Sequence, residues 1–263
     1  MAEAPQLFTD GQAYERIMGR WSRVVGVSFL DWLAVPAGQR WLDSGCGNGA
    51  FTEEIISRCA PAAVHGVDPS EGQIGFARAR PATRLAQFAI GDAQALSFGD
   101  GDFDAAIMAL VIAFLPDPAR AVAELKRVTR PGGFVATYMW DIANGGTPLA
   151  PVGRAMRSLG IPRGVRPNED ASGLAAMRSY WEGAGLVAVE TKVIRISVAY
   201  SDFDDYWASN SAPVGPQGVL ISQMPPQQRD ALRARLREQL PIAADGSISY
   251  HAIANAVKGR VPD

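Results

Sequence analysis

A short apolar run that gives way to alternating glycines constrains this chain more than any other feature. Residues 41–52 read Trp-Leu-Asp-Ser-Gly-Cys-Gly-Asn-Gly-Ala-Phe-Thr, so Gly45, Gly47 and Gly49 occupy every second position shortly after Asp43. Glycine permits positive φ angles and lets the backbone approach a ligand closely, because it has no Cβ. The pattern predicts a strand, a tight turn and a helix, with a nucleotide-like molecule bound at the turn.

Strand-like and helix-like segments alternate over the first 140 residues. Apolar strands are predicted at residues 40–43, 63–67, 85–90, 103–110 and 134–140. Helices are predicted between them at residues 51–59, 70–79 and 116–128. Strands separated by helices pair in parallel, and the crossovers between them are almost always right-handed. Together with two later strands, this order predicts an α/β fold with a doubly wound, mainly parallel, seven-stranded sheet.

The N-terminal region has its own helical signal. Apolar residues recur at helical spacing over residues 9–33, with Gly19 and Gly26 as expected breaks. We therefore predict that residues 1–37 form an N-terminal helical flank.

The second half of the chain is less regular. It contains strand-like segments at 186–200 and 247–261, helical segments at 172–183 and 226–240, a Gly-, Pro- and Arg-rich insertion at 147–167, and a Gly/Pro loop at 213–218. Residues 201–244 are predicted to form a lid insertion over the mouth of the sheet. We expect a single domain over residues 1–263, with a cofactor-binding core at 38–141 and a substrate-side half at 142–263.

Composition narrows the class of protein. The 263 residues are 48% hydrophobic, yet no apolar run is long enough for a membrane span. The net charge of −2 gives no general attraction to nucleic acid or anionic lipid. Cys46 and Cys59 are too few for a disulfide framework or a zinc knuckle, and the first residues lack a secretory signal. We expect a cytoplasmic protein without a metal, and the strong preference for arginine over lysine is typical of a bacterial chain.

Acidic residues and glycines recur after the following strands. Asp68 ends the second predicted strand, Gly91-Asp92-Ala93 follows the third, and Pro131-Gly132-Gly133 leads into the fifth. A dinucleotide fingerprint has G-x-G-x-x-G with an acid about 20 residues later, whereas here the spacing is G-x-G-x-G and Asp43 precedes it. In this order the motifs resemble those of class I S-adenosylmethionine-dependent methyltransferases. Within that superfamily, residues 39–140 look most like the small-molecule type known as methyltransferase type 11.

The resemblance implies a role for each motif residue. Asp68, followed by Pro69, accepts hydrogen bonds from the ribose hydroxyls, and Asp92 and Ala93 meet the adenine amine and a ring nitrogen. Gly45 and Gly47 approach the amino acid end of the cofactor, while Asp43 favours its ammonium and the sulfonium. The other residues implied at the cofactor are Leu110 beside the adenine or the methyl group, Arg20 at the carboxylate, and Tyr14 next to Arg20.

The implied reaction is direct SN2 transfer of a methyl group to an O, N or C atom of a small organic molecule, with S-adenosylhomocysteine as product. Such transfer needs little acid or base, and no catalytic residue is assigned. His65 and His251 lie inside predicted strands, so we interpret both as packed or satisfied; Asp141 or His251 is available if the nucleophile is a hydroxyl. Residues that could line a substrate pocket are Tyr138, Trp140, Asp141, Tyr206 and Trp207.

Two other functions stay open at this point. An NAD(P)-dependent dehydrogenase would share the sheet and the ribose-binding acid, and a cofactor-binding protein of this fold need not catalyse a reaction. A DNA base is disfavoured as acceptor, because amino-methylating DNA enzymes have a polar Pro-Pro-aromatic signature where this chain has residues 108–112, Met-Ala-Leu-Val-Ile. The sequence leaves the identity of the acceptor and the oligomeric state open.

Overall fold

The computed structural model describes residues 20–162, 167–213 and 215–263. Within these residues, seven strands form one sheet in the order β3-β2-β1-β4-β5-β7-β6. The strands are β1 (Arg40–Ser44), β2 (Ala63–Asp68), β3 (Ala86–Ile90), β4 (Phe103–Ala109), β5 (Thr129–Trp140), β6 (Val187–Tyr200) and β7 (Ile248–Arg260). Strands β1 to β5 are parallel to one another, whereas β7 runs antiparallel to both β5 and β6. The predicted fold class is confirmed.

The α-helices of the described residues connect and cover these strands. They are α1 (Arg20–Leu33), α2 (Ala50–Cys59), α3 (Glu71–Ala79), α4 (Pro118–Val128), α5 (Ala150–Ser158), α6 (Leu174–Gly183), α7 (Phe203–Ser211), α8 (Gly215–Ser222) and α9 (Pro226–Gln239). Short 3-10 turns occur at Pro81–Thr83, Ile112–Phe114 and Glu169–Ser172. No helix in the described ranges is both long and apolar enough to cross a membrane.

Polar side chains fix where several helices begin. The Ser70 hydroxyl accepts from the Gln73 amide (3.4 Å) at the start of α3, and Asp117 accepts from the Arg120 amide (3.0 Å) at the start of α4. Such caps satisfy amides that have no partner inside the helix. Because α3 begins directly after β2, the Ser70 cap also fixes the backbone beside Asp68.

The centre of the sheet is buried on both faces. On one face, Phe29 of α1 packs 4.8 Å from the Tyr138 ring of β5, and Phe51 of α2 packs 5.5 Å from the same ring. On the other face, the Trp181 indole of α6 donates to the Val135 carbonyl of β5 at 2.9 Å. Parallel sheets are normally covered on both faces, which leaves their carboxyl edge as the place where loops can bind a ligand.

Two predictions about local structure were wrong. Gly26 does not break a helix but lies inside α1, where a Cβ would meet the Phe51 ring at 3.0 Å; Gly19 lies outside the described residues. The Gly/Pro loop at 213–218 contains the start of α8, and Gly218 fits there because a Cβ would lie 2.0 Å from the Ala212 carbonyl oxygen. Close packing therefore overrides the low helix propensity of glycine.

The insertion at 147–167 also contains regular structure. Helix α5 lies within it and buries Val152, Ala155 and Met156, a stripe at helical spacing. The division of the chain into a flank, a core and a lid stays a prediction.

Candidate functional site

The glycine turn is fixed on the end of β2. Gly45, Gly47 and Gly49 have φ angles of +80°, +52° and +79°. The amides of Gly45 and Cys46 both donate to the Val67 carbonyl, at 2.7 and 3.0 Å. Positive φ angles are costly for other residues, so the turn needs glycine at these positions.

Two of the glycines differ in what surrounds them. A Cβ on Gly45 would lie 2.4 Å from a methyl group of Val111, so this glycine is required by packing as well as by its φ angle. The space beside Gly47 is open, since the nearest atom to a Cβ there is Gln73 Oε1 at 4.0 Å. A ligand can therefore approach the backbone at Gly47.

Asp43 is a buried carboxyl group at the end of β1. Its side chain is fully buried; Oδ2 accepts from the Thr52 hydroxyl at 2.7 Å, while Oδ1 has no partner among the described residues. Burial raises the pKa of Asp43 to about 7, although the Thr52 hydrogen bond opposes this, and the nearby Asp68 charge adds to the rise. An ammonium group placed at Oδ1 would satisfy the oxygen and favour the ionised carboxylate.

Asp68 joins the glycine turn to α3. Its Oδ2 accepts from the Gly47 amide at 3.0 Å and its Oδ1 from the Ser70 amide at 2.9 Å. Burial raises the pKa of Asp68, and these two backbone hydrogen bonds oppose the rise. Each carboxylate oxygen retains lone-pair capacity, so the group could also accept from a vicinal diol.

The loops after β3 and β4 complete the same edge of the sheet. Asp92 is exposed and its Oδ1 accepts from the Gln94 amide at 2.9 Å, while the neighbouring Ala93 is buried. Leu110 follows β4 with a φ angle of +63°, and its amide donates to the Tyr138 carbonyl at 2.9 Å. Non-glycine residues in this conformation are strained and cluster at functional sites. Pro69 lies exposed beside Asp68.

The predicted site residues that can be assessed therefore lie on one edge. Asp43 and Asp68 lie at the carboxyl ends of β1 and β2, and Asp92 and Leu110 follow the carboxyl ends of β3 and β4. Tyr14 lies outside the described residues. Arg20 begins α1, but its side chain is also outside them, so the roles of both stay predictions.

Two supporting residues were not predicted. Thr52 lies in the first turn of α2, nine residues after Asp43. The predicted order of strand, turn and helix could have indicated its contact with Asp43. Arg80 clamps the turn from outside: its Nε donates to the Asn48 carbonyl at 3.2 Å and its Nη1 pairs with Glu53 at 2.6 Å. No sequence pattern points to Arg80, because its contacts are with residues about 30 positions away.

The remaining candidates have different surroundings. His65 packs edge-on against the Phe98 and Phe103 rings, and burial lowers its pKa. His251 is exposed on β7 instead of packed, because it lies on an outward-facing position of the strand. Asp141 is buried at the end of β5, and its two oxygens accept from Asn144 Nδ2 at 3.0 and 3.2 Å. Both cysteines are free, and the described residues contain no group of three His, Cys, Asp or Glu side chains suited to a metal ion.

Substituting Gly45 and Gly47 separately tests the two environments. Gly45→Ala should lower the free energy of unfolding by about 1 to 2 kcal/mol for the positive φ angle and by about 1 to 3 kcal/mol more for crowding against Val111. Gly47→Ala, its matched control, should incur only the first cost. Urea denaturation measures both, and equal losses would contradict the packing difference.

The buried Asp43 carboxyl predicts a pH dependence of stability. Between pH 3.8 and about 7 the folded protein holds a proton that the unfolded chain has lost, so the free energy of unfolding should fall as pH rises through this range. Asp43→Asn keeps the Thr52 contact but does not titrate. Melting temperatures of both proteins should be compared from pH 4 to pH 8; parallel curves would show that Asp43 ionises normally.

Comparison with other proteins shows what the segment that carries this edge is similar to. Residues 42–137 match the family model described as a methyltransferase domain. The fatty-acid O-methyltransferase of Mycolicibacterium smegmatis is 32% identical over 143 residues, which cover 51% of this chain and 52% of that protein. The 2-methyl-6-phytyl-1,4-hydroquinone methyltransferase of Synechocystis is 36% identical over 108 residues, 41% of this chain and 34% of that protein. This chain thus spans about half or less of the length of these two relatives.

A solved structure shares the fold. Phosphoethanolamine N-methyltransferase 2 of Haemonchus contortus, solved in complex with S-adenosyl-L-methionine, superposes with a TM-score of 0.61 at 19% identity. The match covers 96% of this chain and 56% of that one, and at this identity it shows the fold alone. Residues 42–137 thus match a methyltransferase domain, and the chain shares its fold with a methyltransferase that was solved in complex with S-adenosyl-L-methionine.

Proposed function

We propose that this protein transfers a methyl group from S-adenosylmethionine to an O, N or C atom of a small organic molecule, leaving S-adenosylhomocysteine. The observation that carries the proposal is the buried Asp43 carboxyl group, whose Oδ1 has no partner among the described residues. It lies beneath a glycine turn that is open at Gly47. Such a site suits a cationic cofactor, because a buried carboxylate is stabilised only by a charge or hydrogen bonds that replace water.

The residues present fit this cofactor. We assign the ammonium and sulfonium end to Asp43, the backbone approach to Gly45 and Gly47, and the ribose diol to Asp68 with Pro69. The further assignments are the adenine to Asp92 and Ala93, the apolar contact to Leu110, and the carboxylate to Arg20 with Tyr14. Asp68 carries a double role, since it accepts from the Gly47 amide and retains lone pairs for the ribose.

The cofactor supplies an electrophilic methyl group on a positively charged sulfur. The contribution of the chain is alignment and exclusion of water, which in favourable intramolecular models are worth roughly 7 to 11 kcal/mol. A general base is not required when the acceptor atom already has a free lone pair. For a hydroxyl acceptor, Asp141 is the candidate base, because it is buried at the end of β5 and accepts hydrogen bonds only from Asn144 among the described residues.

We infer an acceptor with an apolar body. Trp140, the last residue of β5, is an aromatic side chain at the edge that carries the proposed cofactor site, whereas Tyr138 is already packed against Phe29 and Phe51. The two relatives act, by name, on a fatty acid and on a phytyl-substituted hydroquinone, both of which have long apolar parts. Nucleic acid is not an expected partner of a chain with net charge −2, and its two free cysteines suit a cytoplasmic location.

A nicotinamide dinucleotide fits the site less well. Its pyrophosphate would lie at the glycine turn, directly above the buried Asp43 carboxyl group. Two like charges close together in a low-dielectric site repel each other. The same carboxyl group attracts an ammonium, so Asp43 discriminates between the two cofactors.

Ligand-induced stabilisation tests the proposal. S-adenosylhomocysteine should raise the melting temperature, whereas NAD should not. Asp68→Ala should weaken S-adenosylhomocysteine binding by about 2 to 4 kcal/mol in calorimetric titration, because hydrogen bonds to a charged acceptor are lost.

Asp102→Ala is the matched control, since Asp102 is exposed in the turn before β4 and should leave binding unchanged. Stabilisation by NAD alone would overturn the methyltransferase proposal. Unchanged affinity in Asp68→Ala would show that the ribose lies elsewhere.

A further inference from the structure

Strands β6 and β7 continue beyond the end of β5. The last residue of β5, Trp140, pairs with Ala254, whereas β7 already begins at Ile248, opposite Tyr200 at the end of β6. The two strands therefore project past the carboxyl edge of the sheet as an antiparallel arm. Helix α7 begins directly after β6 and covers the end of this arm. Asp202 caps the start of the helix by accepting from the Asp205 amide at 2.8 Å.

Three tyrosines meet where α7 contacts the arm. The Tyr206 ring of α7 lies 4.9 Å from that of Tyr200 and 6.5 Å from that of Tyr250, and the Tyr200 and Tyr250 rings lie 6.4 Å apart. We call these residues the tyrosine cluster. Trp21 of α1 packs edge-on against Tyr200 at 5.8 Å, so the cluster lies between α1 and α7.

The tyrosine cluster lies on the same side of the sheet as Asp43. Residues directly opposite each other on neighbouring strands point to the same face, and every second residue along a strand does so too. Asp43 pairs with Ile107, Ile107 with Ala136, and Ala136 with Lys258, from which Tyr250 is an even number of residues away along β7. Asp43 of the proposed cofactor site and Tyr250 of the cluster therefore lie on one face of the sheet.

Hydrogen bonding inside the cluster is incomplete. The Tyr250 hydroxyl donates to the Pro148 carbonyl at 2.6 Å. The Asn210 amide nitrogen donates to the Tyr206 carbonyl at 2.8 Å and to the Tyr200 hydroxyl at 3.2 Å. The Tyr206 hydroxyl and Asn210 Oδ1 are left without a hydrogen bond of normal geometry to any described residue, although Tyr206 is fully buried and Asn210 is only 4% exposed.

Unsatisfied buried polar atoms weaken a fold unless a ligand satisfies them. Here one atom is an O–H donor and the other a carbonyl acceptor, and both belong to residues in contact with Tyr200. Burial, with the proximity of Tyr200, raises the pKa of Tyr206, and the nearby Arg154 and Tyr250 hydroxyl oppose the rise. The Tyr206 hydroxyl therefore keeps its proton, and its contact with Tyr250 lacks the geometry of a hydrogen bond. A neutral hydroxyl complements this pair, since it can accept from Tyr206 and donate to Asn210, whereas an ether or a carboxylate cannot do both.

We propose that Tyr206 and Asn210 determine acceptor specificity by binding a neutral hydroxyl group on a ring of the methyl acceptor. This inference rests on the proposed function, because it concerns the acceptor of the same site. Aromatic side chains around the two polar atoms suit a flat ring as the body of that molecule.

The contacts between α7 and α9 beside the tyrosine cluster are partly exposed. Arg233 of α9 pairs with Asp204 of α7 at 2.6 Å, but Asp204 is 73% exposed and Arg233 43% exposed. Arg237 lies over the Phe203 ring at 4.3 Å. Exposed ion pairs contribute little to stability, so we include in the proposal a movement of α7, whose Phe203, Tyr206 and Asn210 are buried, to admit the acceptor.

The inference can be tested by measuring how three small probes bind to the full chain when it is saturated with S-adenosylhomocysteine. The probes are 4-propylphenol, 4-propylanisole and 4-propylbenzoate, which share one body and differ in the polar group. Ligand-observed NMR titration should show that the phenol binds at least about tenfold more tightly than the other two. In Tyr206→Phe and Asn210→Leu this preference should fall below about threefold, because each removes one of the two partners.

Tyr180→Phe, a partly buried tyrosine on α6, is the matched control and should keep the preference. If Tyr206 is only a buried structural residue, its Phe variant will raise the melting temperature and leave the preference unchanged, which overturns the inference. Equal binding of the three probes, tightest binding of the benzoate, or no binding while S-adenosylhomocysteine binds would also overturn it. Failure of S-adenosylhomocysteine itself to bind would instead contradict the proposed function.

Discussion

A buried carboxyl group with one unpartnered oxygen organises this molecule. Asp43 lies at the end of β1 with only Thr52 to support it among the described residues, and burial raises its pKa to about 7. Such a group is unfavourable in an empty site and favourable next to a cation. The glycine turn next to Asp43 leaves room for a ligand at Gly47. Because a cation offsets the cost of burying the Asp43 carboxylate, the site favours a positively charged cofactor.

The fold brings the other contacts to this carboxyl group. Parallel strands place the residues at the ends of β1 to β4 along one edge, and α1 and α7 pack against the adjoining strands. Asp68 links two parts of this edge, because its two carboxylate oxygens accept hydrogen bonds from Gly47 in the glycine turn and from Ser70 at the start of α3. The sheet therefore positions the residues of the proposed cofactor site. In our proposal, the specificity for the methyl acceptor depends on α7 and on the arm formed by β6 and β7.

Local patterns explain how much the sequence could predict. The strands, the turn and the acids at strand ends follow from apolar runs and glycine spacing, so the fold class and the position of Asp43, Asp68 and Asp92 were accessible. The start of α8 within a Gly/Pro segment was not, because it depends on a close approach to Ala212. Thr52 could have been identified from its position nine residues after Asp43, whereas the contacts of Arg80 form only between distant parts of the folded chain. The buried polar atoms of Tyr206 and Asn210 that lack a hydrogen bond among the described residues likewise have no signal in the sequence.

Methyl transfer itself is the most direct test of this account. The full-length protein should be incubated with S-adenosylmethionine labelled in its methyl group and with extracts of bacterial small molecules, beside Asp68→Ala as a control. The account predicts a labelled organic product of low molecular mass with the unaltered protein and little or none with the variant. Binding of S-adenosylhomocysteine without any labelled product across the extracts would contradict it and identify a cofactor-binding protein without transferase activity.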